Sequence, residues 1–264
     1  MDDNLREKVQ GVSSLFSLTD RVAVIAGGDG GLARGMGLAL AAAGAHIVPI
    51  SINPPGLEEM AADVRALGRR ALPLKVDITR EAEVEAMVRQ VLEAFGRIDI
   101  LINSAGIVII KPTTEYAVEE WEKVIRVNLE GMFICCKHVG KVMVQQKRGK
   151  IINMSSVRGL QGRANDPSYP ASKGGVNLLT KSLAIEWAPL GITVNAIAPT
   201  FIRTELNTFI LDDPQQHAAI VSRIPMGRVG QVSDLFGAAI FLASSASDFI
   251  TGHILYVDGG WTAA

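Results

Sequence analysis

The fold is decided by the stretch Val22-Ala23-Val24-Ile25-Ala26-Gly27-Gly28-Asp29-Gly30-Gly31-Leu32-Ala33. Its first five residues are apolar, as expected for a strand that is buried on both faces. Four glycines follow within five positions, and a helical stretch then runs on to Ala43. Glycines at a strand-to-helix turn let the backbone approach a pyrophosphate, which the N–H groups at the start of the helix can bind. The stretch therefore predicts a dinucleotide-binding turn, with a merely flexible turn as the alternative.

Short apolar runs alternate with helical stretches along the rest of the chain. The apolar runs are Val22–Ala26, Ile47–Ile50, Ala71–Val76, Ile98–Asn103, Lys150–Met154, Ile192–Ala198 and His253–Val257. The helical stretches include Leu57–Leu67, Glu81–Phe95, Val118–Gln146, Ala171–Ala188 and Ser233–Leu242. Apolar strands between amphipathic helices indicate a parallel sheet covered on both faces. An eighth strand–helix pair, which a (β/α)₈ barrel needs, is not found. We therefore predict an α/β fold with a single doubly wound, Rossmann-type parallel sheet of seven strands.

The composition is that of a globular protein without an excess of basic residues. The chain has 264 residues, of which 48% are hydrophobic and 20% charged, and its formal net charge is −1. This balance offers no basic surface for nucleic acid. No apolar stretch approaches the roughly 20 residues that span a bilayer, and the N-terminus lacks the pattern of a signal peptide. We expect no nucleic-acid partner, no membrane partner and no bound metal.

The sequence also predicts the domain organisation and the compartment. Residues 1–20 are polar without a clear period, so we predict an N-terminal extension followed by one catalytic domain over residues 21–264. Residues 199–229 contain few strand formers, and we predict a substrate lid there, with a plain surface insertion as the alternative. Cys135 and Cys136, the only cysteines, are adjacent and cannot close a loop, which favours a reducing, cytoplasmic compartment.

The end of the second predicted strand bears on which dinucleotide binds. An acidic residue there would bond the ribose 2′-hydroxyl of NAD, whereas a cation would pair with the 2′-phosphate of NADP. The sequence has Ser51-Ile52-Asn53 at this place, with neither acid nor cation, and Asp29 in the glycine turn would repel a phosphate. We therefore predict NAD as the cofactor, favoured over NADP.

A serine, a tyrosine and a lysine follow the fifth predicted strand. Tyr169 comes thirteen residues after Ser156, and Lys173 four residues after Tyr169. Positions i and i+4 share a helix face, so the last two side chains can meet. A nearby ammonium favours the phenolate and is expected to lower the tyrosine pKa, as a general acid/base at neutral pH requires. The spacing alone also fits an ordinary half-exposed helix face, but the serine and the dinucleotide turn favour a catalytic group.

With these motifs taken together, the chain resembles the short-chain dehydrogenase/reductase family from about Leu15 to Trp261. Further matching motifs are Asn103-Ser104-Ala105-Gly106, Asn195-Ala196-Ile197-Ala198-Pro199 and Val257-Asp258-Gly259-Gly260. The resemblance implies a catalytic tetrad of Asn128, Ser156, Tyr169 and Lys173. It also implies that the dinucleotide is bound by Gly27, Asp29, Gly31, Leu32, Ser51, Asp77, Ile78, Asn103, Ala105, Gly106, Tyr169, Lys173, Pro199, Ile202 and Thr204.

The resemblance implies a role for each member of the tetrad. Tyr169 exchanges a proton with the substrate oxygen, which Ser156 orients and polarises. Lys173 lowers the tyrosine pKa and binds the nicotinamide ribose, and Asn128 holds a water in the proton relay. Four positions depart from the family pattern without removing a catalytic group: Ala26, Ala33, Ser104 and Thr200. The threonine hydroxyl lost at Ala26 would have braced the turn by one hydrogen bond, worth about 1 kcal/mol.

Within the family, the likeness is greatest to sugar-acid dehydrogenases. It rests on Ser14–Leu18, Arg223–Arg228, Phe241–Phe249 and Val257–Trp261. We predict a homotetrameric oxidoreductase that moves a hydride between a nicotinamide cofactor and a hydroxyl or keto group of a small polar substrate, a sugar acid or a polyol. Candidate substrate residues are Ser156, Arg158, Arg163 and Arg203, since an arginine fork suits a carboxylate. The alternatives are a 3-oxoacyl or general carbonyl reductase, and a dinucleotide-binding regulatory protein without turnover.

Overall fold

Seven parallel strands form one sheet. The computed structural model describes residue 9 and residues 11–264, and within them the strands are β1 (Val22–Ala26), β2 (His46–Ser51), β3 (Leu74–Lys75), β4 (Ile100–Asn103), β5 (Gly149–Met154), β6 (Ile192–Pro199) and β7 (Ile254–Val257). Their order across the sheet is β3-β2-β1-β4-β5-β6-β7. The order reverses between β1 and β4, and ligands of such sheets bind in the crevice at the carboxyl ends of the strands. The predicted doubly wound sheet of seven strands is confirmed.

Helices cover both faces of this sheet. They are α1 (Gly31–Ala42), α2 (Pro54–Ala66), α3 (Glu81–Phe95), α4 (Val118–Ile125), α5 (Gly131–Gln146), α6 (Ser168–Trp187), α7 (Thr208–Leu211), α8 (Pro214–Val221) and α9 (Phe236–Ala243). In β1, Val22 and Val24 pack with α3, α5 and α6, whereas Ala23 and Ile25 pack with α1, α2 and α9. Because burying one Val or Ile side chain stabilises by about 1.5–3 kcal/mol, the same apolar run favours the strand and holds both helix layers.

Most predicted elements agree with the structure to within a few residues, and two differ in a way that has a physical reason. The run Ala71–Val76 pairs as a strand only at Leu74–Lys75, with an isolated bridge between Ala71 and Ile47, because this edge strand has a single neighbour. The helix predicted over Val118–Gln146 contains a π-turn at Arg126–Glu130. Hydrophobic periodicity does not reveal the wider turn, and such turns are frequent at functional sites.

The predicted N-terminal extension is only partly within the described residues. Residues 1–8 and 10 of the extension lie outside them. Leu18 is 1% exposed and belongs to the core beneath α1 and α9. Its N–H donates to the Ala43 carbonyl oxygen at 2.9 Å, and the Ser245 hydroxyl donates to the Leu15 carbonyl oxygen at 3.0 Å. The last residues of the predicted extension, among them Leu18, therefore pack on the domain.

The excursion after β6, predicted as a lid, folds into the short helices α7 and α8. Its two ends are joined, because the Arg203 N–H donates to the Gly230 carbonyl oxygen and the Gly230 N–H to the Phe201 carbonyl oxygen, both at 2.9 Å. The Asp213 carboxylate caps α8 and accepts two hydrogen bonds from the N–H groups that follow it, at 2.9 and 3.0 Å. The excursion is thus joined at its base and contains two short helices, and its role as a lid remains a prediction.

Two further observations concern only the part of the chain that the structure describes. None of its helices is both long enough and apolar enough to cross a membrane. In residue 9 and residues 11–264, no group of three or more His, Cys, Asp or Glu side chains is placed to hold a metal ion.

Candidate active site

The turn between β1 and α1 is closely packed and accepts only glycine at two of its positions. Gly27 has a φ of +77°, and a Cβ at this position would lie 2.8 Å from the Ala105 nitrogen. At Gly28 a Cβ would lie 2.7 Å from the Cβ of Pro49. Helix α1 begins after Gly30 without a side-chain cap, and the amides of a first helical turn have no acceptor within the helix. The turn therefore fits the pyrophosphate of a dinucleotide.

The other predicted dinucleotide residues lie along the same edge of the sheet. A Cβ on Gly31 would lie 3.2 Å from Thr204 Cγ2, so the start of the lid contacts the glycine turn. Asp77 follows β3, where its Oδ1 accepts the Thr79 hydroxyl at 2.7 Å. Asn103 ends β4. The remaining residues of the predicted set occupy strand ends, the loops after them, or the first turn of α1: Asp29, Leu32, Ser51, Ile78, Ala105, Gly106, Pro199 and Ile202.

Lys173 joins helix α6 to the end of β5. Its side chain is nearly sealed from solvent, with 4% exposed, and Nζ donates to the Met154 carbonyl oxygen at 2.7 Å. Burial lowers the pKa of this ammonium to about 8, since a low-dielectric environment disfavours the charged form. The structure therefore places an ammonium, whose charged form burial disfavours, at the junction of α6 and β5.

Tyr169 lies one helical turn before Lys173, as the spacing predicts. The expectation that Lys173 lowers its pKa is not met in this structure, where burial raises the pKa of the phenol. The neighbouring Ser156 hydroxyl and the Arg163 charge act in the opposite direction but do not outweigh burial. Lys173 Nζ lies 5.5 Å from the centroid of the Tyr169 ring, and its hydrogen bond goes to the Met154 carbonyl oxygen.

Asn128 lies in the π-turn between α4 and α5 and is fully buried. Its Oδ1 accepts the Ile107 N–H at 2.8 Å, while Nδ2 donates to the Ile107 carbonyl oxygen at 2.9 Å and to the Ser172 hydroxyl at 3.2 Å. The side chain thus joins the loop after β4 to α6 beside the predicted catalytic residues. Its predicted role in holding a water remains a prediction.

Of the three arginines predicted as substrate residues, two are paired with carboxylates. Arg163 Nε and Nη2 donate to Asp166 Oδ2 at 3.0 and 2.5 Å, and Asp166 Oδ1 accepts the Tyr169 N–H at 3.3 Å. Arg203 Nη1 lies 2.7 Å from Asp212 Oδ1. The third, Arg158, donates from Nη1 to the Gly162 carbonyl oxygen at 2.9 Å and packs over the Trp261 ring. Arg163 therefore holds the start of α6, and Arg203 holds the lid.

Sequence reasoning missed three residues of this cleft: Asp166, Arg223 and Trp261. The acidic residue three positions before Tyr169 is a helix-start signal, so Asp166 was accessible from the sequence. Arg223 contacts the Trp261 ring, at 4.2 Å from its centroid. Arg223 and Trp261 are far from Ser156 in the sequence, and no motif spacing predicts that they lie near it.

The arrangement can exchange a proton with a bound oxygen. Ser156 is 7% exposed and its Oγ accepts the Arg158 N–H at 3.1 Å, which fixes the hydroxyl at the end of β5. The Tyr169 phenol lies beside it, above the buried Lys173. A substrate oxygen held by these two hydroxyls would lie next to the crevice that the glycine turn lines, which is the geometry that general acid/base catalysis needs.

Comparisons with known proteins agree with this geometry. A family model described as enoyl-(acyl carrier protein) reductase matches residues 26–262. The 2-dehydro-3-deoxy-D-gluconate 5-dehydrogenase of Escherichia coli (strain K12) is 43% identical over 253 residues, which are 96% of this chain and 99% of the relative. The 5-keto-D-gluconate 5-reductase of the same strain is 36% identical and is matched over its whole length, by 96% of this chain.

A solved structure is also similar over nearly the whole chain. It is a gluconate 5-dehydrogenase from Burkholderia cenocepacia J2315 in complex with NADP and tartrate, with a TM-score of 0.91 and 40% identity, covering 95% of this chain and 98% of that one. The chain therefore belongs to the short-chain dehydrogenase/reductase family and is an NAD(P)-dependent oxidoreductase that acts on CH–OH and C=O groups.

Proposed function

We propose that the chain transfers a hydride between a nicotinamide dinucleotide and a hydroxyl or keto group of a sugar acid. The observation that carries the proposal is that Ser156, Tyr169 and Lys173 lie together at the end of β5, with Lys173 Nζ 3.8 Å from where a Cβ of Gly106 would lie. The substrate class is supported by relatives whose names are those of gluconate and dehydro-deoxy-gluconate oxidoreductases. The cofactor, when bound, supplies the hydride chemistry, and the protein supplies orientation and charge.

The residues of the cleft take their roles from their environments. The glycine turn and the first-turn amides of α1 would hold the pyrophosphate, while Lys173 would reach the nicotinamide ribose. Because burial raises the pKa of Tyr169, its phenol carries a proton at neutral pH and can donate it to a keto oxygen during reduction. Ser156 would hold that oxygen. Asn128 would brace the loop after β4 against α6 and hold a water of the proton relay.

Replacing Tyr169 with Phe should abolish turnover without removing the dinucleotide site. The ring and its packing remain, but the transferable proton is lost, and such groups contribute about 10²- to 10⁴-fold in rate. We expect at least a 10²-fold loss of kcat for the best substrate among 2-dehydro-3-deoxy-D-gluconate, D-gluconate, 5-keto-D-gluconate, a polyol and a 3-oxoacyl thioester. Turnover is followed by the absorbance of the reduced nicotinamide, with both cofactors.

The matched control is Tyr116→Phe, which removes a phenol that hydrogen-bonds to the Ser168 hydroxyl at 2.7 Å, one residue before Tyr169. It should lose about 1 kcal/mol of stability and retain kcat within a few-fold. Near-normal turnover by Tyr169→Phe would reject the catalytic assignment. Preference of the wild type for the thioester over every sugar acid would reject the substrate class.

We further propose that NAD is the preferred cofactor. Asn53 Nδ2 donates to Asp29 Oδ2 at 3.1 Å, so the end of β2 and the glycine turn together present an amide and a carboxylate. Arg34, the cation of the first turns of α1, is paired with Glu59 at 3.0 Å and with Asp63 at 2.6 Å. A 2′-phosphate placed here would meet the Asp29 charge without an available cation. NADP is present in the gluconate 5-dehydrogenase structure, so this chain would differ from that relative.

Titration of protein fluorescence with NADH and with NADPH should give a dissociation constant at least 10-fold lower for NADH, a difference of about 1.4 kcal/mol. Asp29→Asn should reduce the difference between the two dissociation constants, because it removes the charge that repels the 2′-phosphate and so lowers the dissociation constant for NADPH. The control Glu119→Gln, which removes an exposed charge from α4, should leave both constants unchanged. Tighter binding of NADPH by the wild type would overturn the proposal.

We propose that the active form is a cytoplasmic homotetramer. Large apolar side chains are exposed on the outer helices, among them Leu178 and Ile185 of α6 at 65% and 79%. Val118 of α4 and Phe133 of α5 add to this surface, with 66% and 46% exposed. Such patches are typical of self-complementary interfaces. The buried free thiols, whose pKa burial raises, to about 12 for Cys136, support a reducing compartment.

Light scattering should give the mass of four 28.2 kDa chains at working concentration. Ile185→Arg should lower this mass because it introduces a charge into the proposed interface. Leu67→Arg, at an exposed apolar position at the end of α2 that is 46% exposed, is the matched control and should keep the four-chain mass. A stable single-chain mass for the wild type would rule out the assembly.

A further inference from the structure

Two guanidinium groups pack on the same indole at the edge of the catalytic cleft. The Arg158 Cζ lies 5.6 Å, and the Arg223 Cζ 4.2 Å, from the centroid of the Trp261 ring. Trp261 is 4% exposed, is buried with Val157 and Ile224, and donates its indole N–H to Gln161 Oε1 at 2.9 Å. The indole is therefore fixed in place, and cation–π contact holds both guanidinium groups beside it.

Arg158 is unusual because it is a buried cation without a paired anion. The residue is 9% exposed, and among residues 11–264 the one acceptor that hydrogen-bonds to its guanidinium is the Gly162 carbonyl oxygen, at 2.9 Å. No carboxylate within the described residues lies within 4 Å of Arg158 or of Arg223. Buried charges are normally paired, so this guanidinium is suited to an anion that the protein itself does not provide.

The position of Arg158 connects it to the reacting groups. It follows Ser156 by two residues, and its own N–H donates to the Ser156 Oγ at 3.1 Å. Its guanidinium is also close enough to Tyr169 for each charge to affect the pKa of the other. A molecule held by the Ser156 and Tyr169 hydroxyls therefore lies within electrostatic reach of Arg158.

We propose that Arg158, together with Arg223 on the same Trp261 ring, binds the carboxylate of the substrate and thereby selects a sugar acid over a neutral sugar or polyol. The proposal rests on the sugar-acid function proposed above and adds the residues that recognise the acid group. An arginine presents parallel N–H donors that match the two oxygens of a carboxylate. Burial and the charges of Arg163 and Arg223 lower the pKa of Arg158, and a bound carboxylate would offset this repulsion.

The other arginines near the cleft are less suited to this role. Arg163 already donates two hydrogen bonds to the buried Asp166, and Arg203 is paired with Asp212. A substrate carboxylate at either one would have to displace an existing anion. Arg158 and Arg223 need no such exchange.

The test is equilibrium binding of D-gluconate and of its neutral amide, D-gluconamide, measured by calorimetry on the full-length protein saturated with reduced dinucleotide. Both ligands carry hydroxyl groups and cannot accept a hydride from the reduced cofactor, so they bind without turnover. The wild type should bind gluconate at least 10-fold more tightly than the amide. Arg158→Gln should weaken gluconate binding about 10- to 100-fold, the ratio expected for one charge-assisted hydrogen bond, with little change for the amide. Arg158→Lys keeps the charge but not the parallel N–H donors, so its affinity for gluconate should lie between those of the wild type and Arg158→Gln.

If Arg158→Gln folds poorly, Arg223→Gln tests the same carboxylate site independently. Arg223 is exposed, so Arg223→Gln should fold normally and should still weaken gluconate binding several-fold. Arg89→Gln, which removes an exposed charge from α3, controls for the overall charge and should bind like the wild type. Equal affinity of the wild type for the acid and the amide, or wild-type gluconate affinity in both Arg158→Gln and Arg223→Gln, would overturn the proposal.

The same titrations separate this proposal from the proposed function. If gluconate binds through Arg158 but no sugar acid exchanges a hydride with the cofactor, the carboxylate site stands and the sugar-acid function fails. If sugar acids turn over while Arg203→Gln rather than Arg158→Gln weakens their binding, the function stands and the carboxylate site is wrong.

Discussion

The hydrogen bond from Lys173 Nζ to the carbonyl oxygen of Met154, at 2.7 Å, is the contact on which the catalytic site depends. Met154 ends β5, and Ser156 follows two residues later, whereas Lys173 lies on α6 one turn after Tyr169. The bond therefore sets the position of the phenol relative to the serine hydroxyl. Burying the ammonium is unfavourable, as its pKa of about 8 indicates, and surrounding packing must offset that cost.

Neighbouring contacts repeat this link at successive turns of α6. Asn177 accepts the Ser155 hydroxyl at 2.6 Å, and the Thr180 hydroxyl accepts the Asn153 Nδ2 at 3.0 Å. Lys173, Asn177 and Thr180 are spaced by four and three residues, so they share one helix face, and that face pairs with three consecutive residues at the end of β5. The i, i+4 relation of Tyr169 and Lys173 is thus part of a longer polar seam between helix and strand, and the seam makes the catalytic geometry rigid.

The sequence was sufficient for the fold because its strands are short, continuous apolar runs such as Val22–Ala26, whose two faces need separate helix layers. The Ser156–Tyr169–Lys173 spacing likewise predicted which side chains meet. The π-turn around Asn128 was not predicted, because the apolar pattern over Val118–Gln146 was interpreted as one continuous α-helix. The sequence also did not predict that burial raises the pKa of Tyr169, since burial depends on the packing of the folded chain. For the same reason it did not predict that Asp166 and Asp212 pair with two of the three predicted arginines.

We propose that the buried Lys173 ammonium positions Tyr169 for proton transfer and contributes to cofactor binding, and Lys173→Met tests both roles. Methionine has a similar length and no charge, so removing an unpaired buried charge should leave the melting temperature unchanged or higher. We expect at least a 10²-fold loss of turnover and weaker binding of the reduced dinucleotide, in a variant whose melting temperature is not lowered. Near-normal turnover and unchanged dinucleotide affinity in Lys173→Met would contradict this proposal.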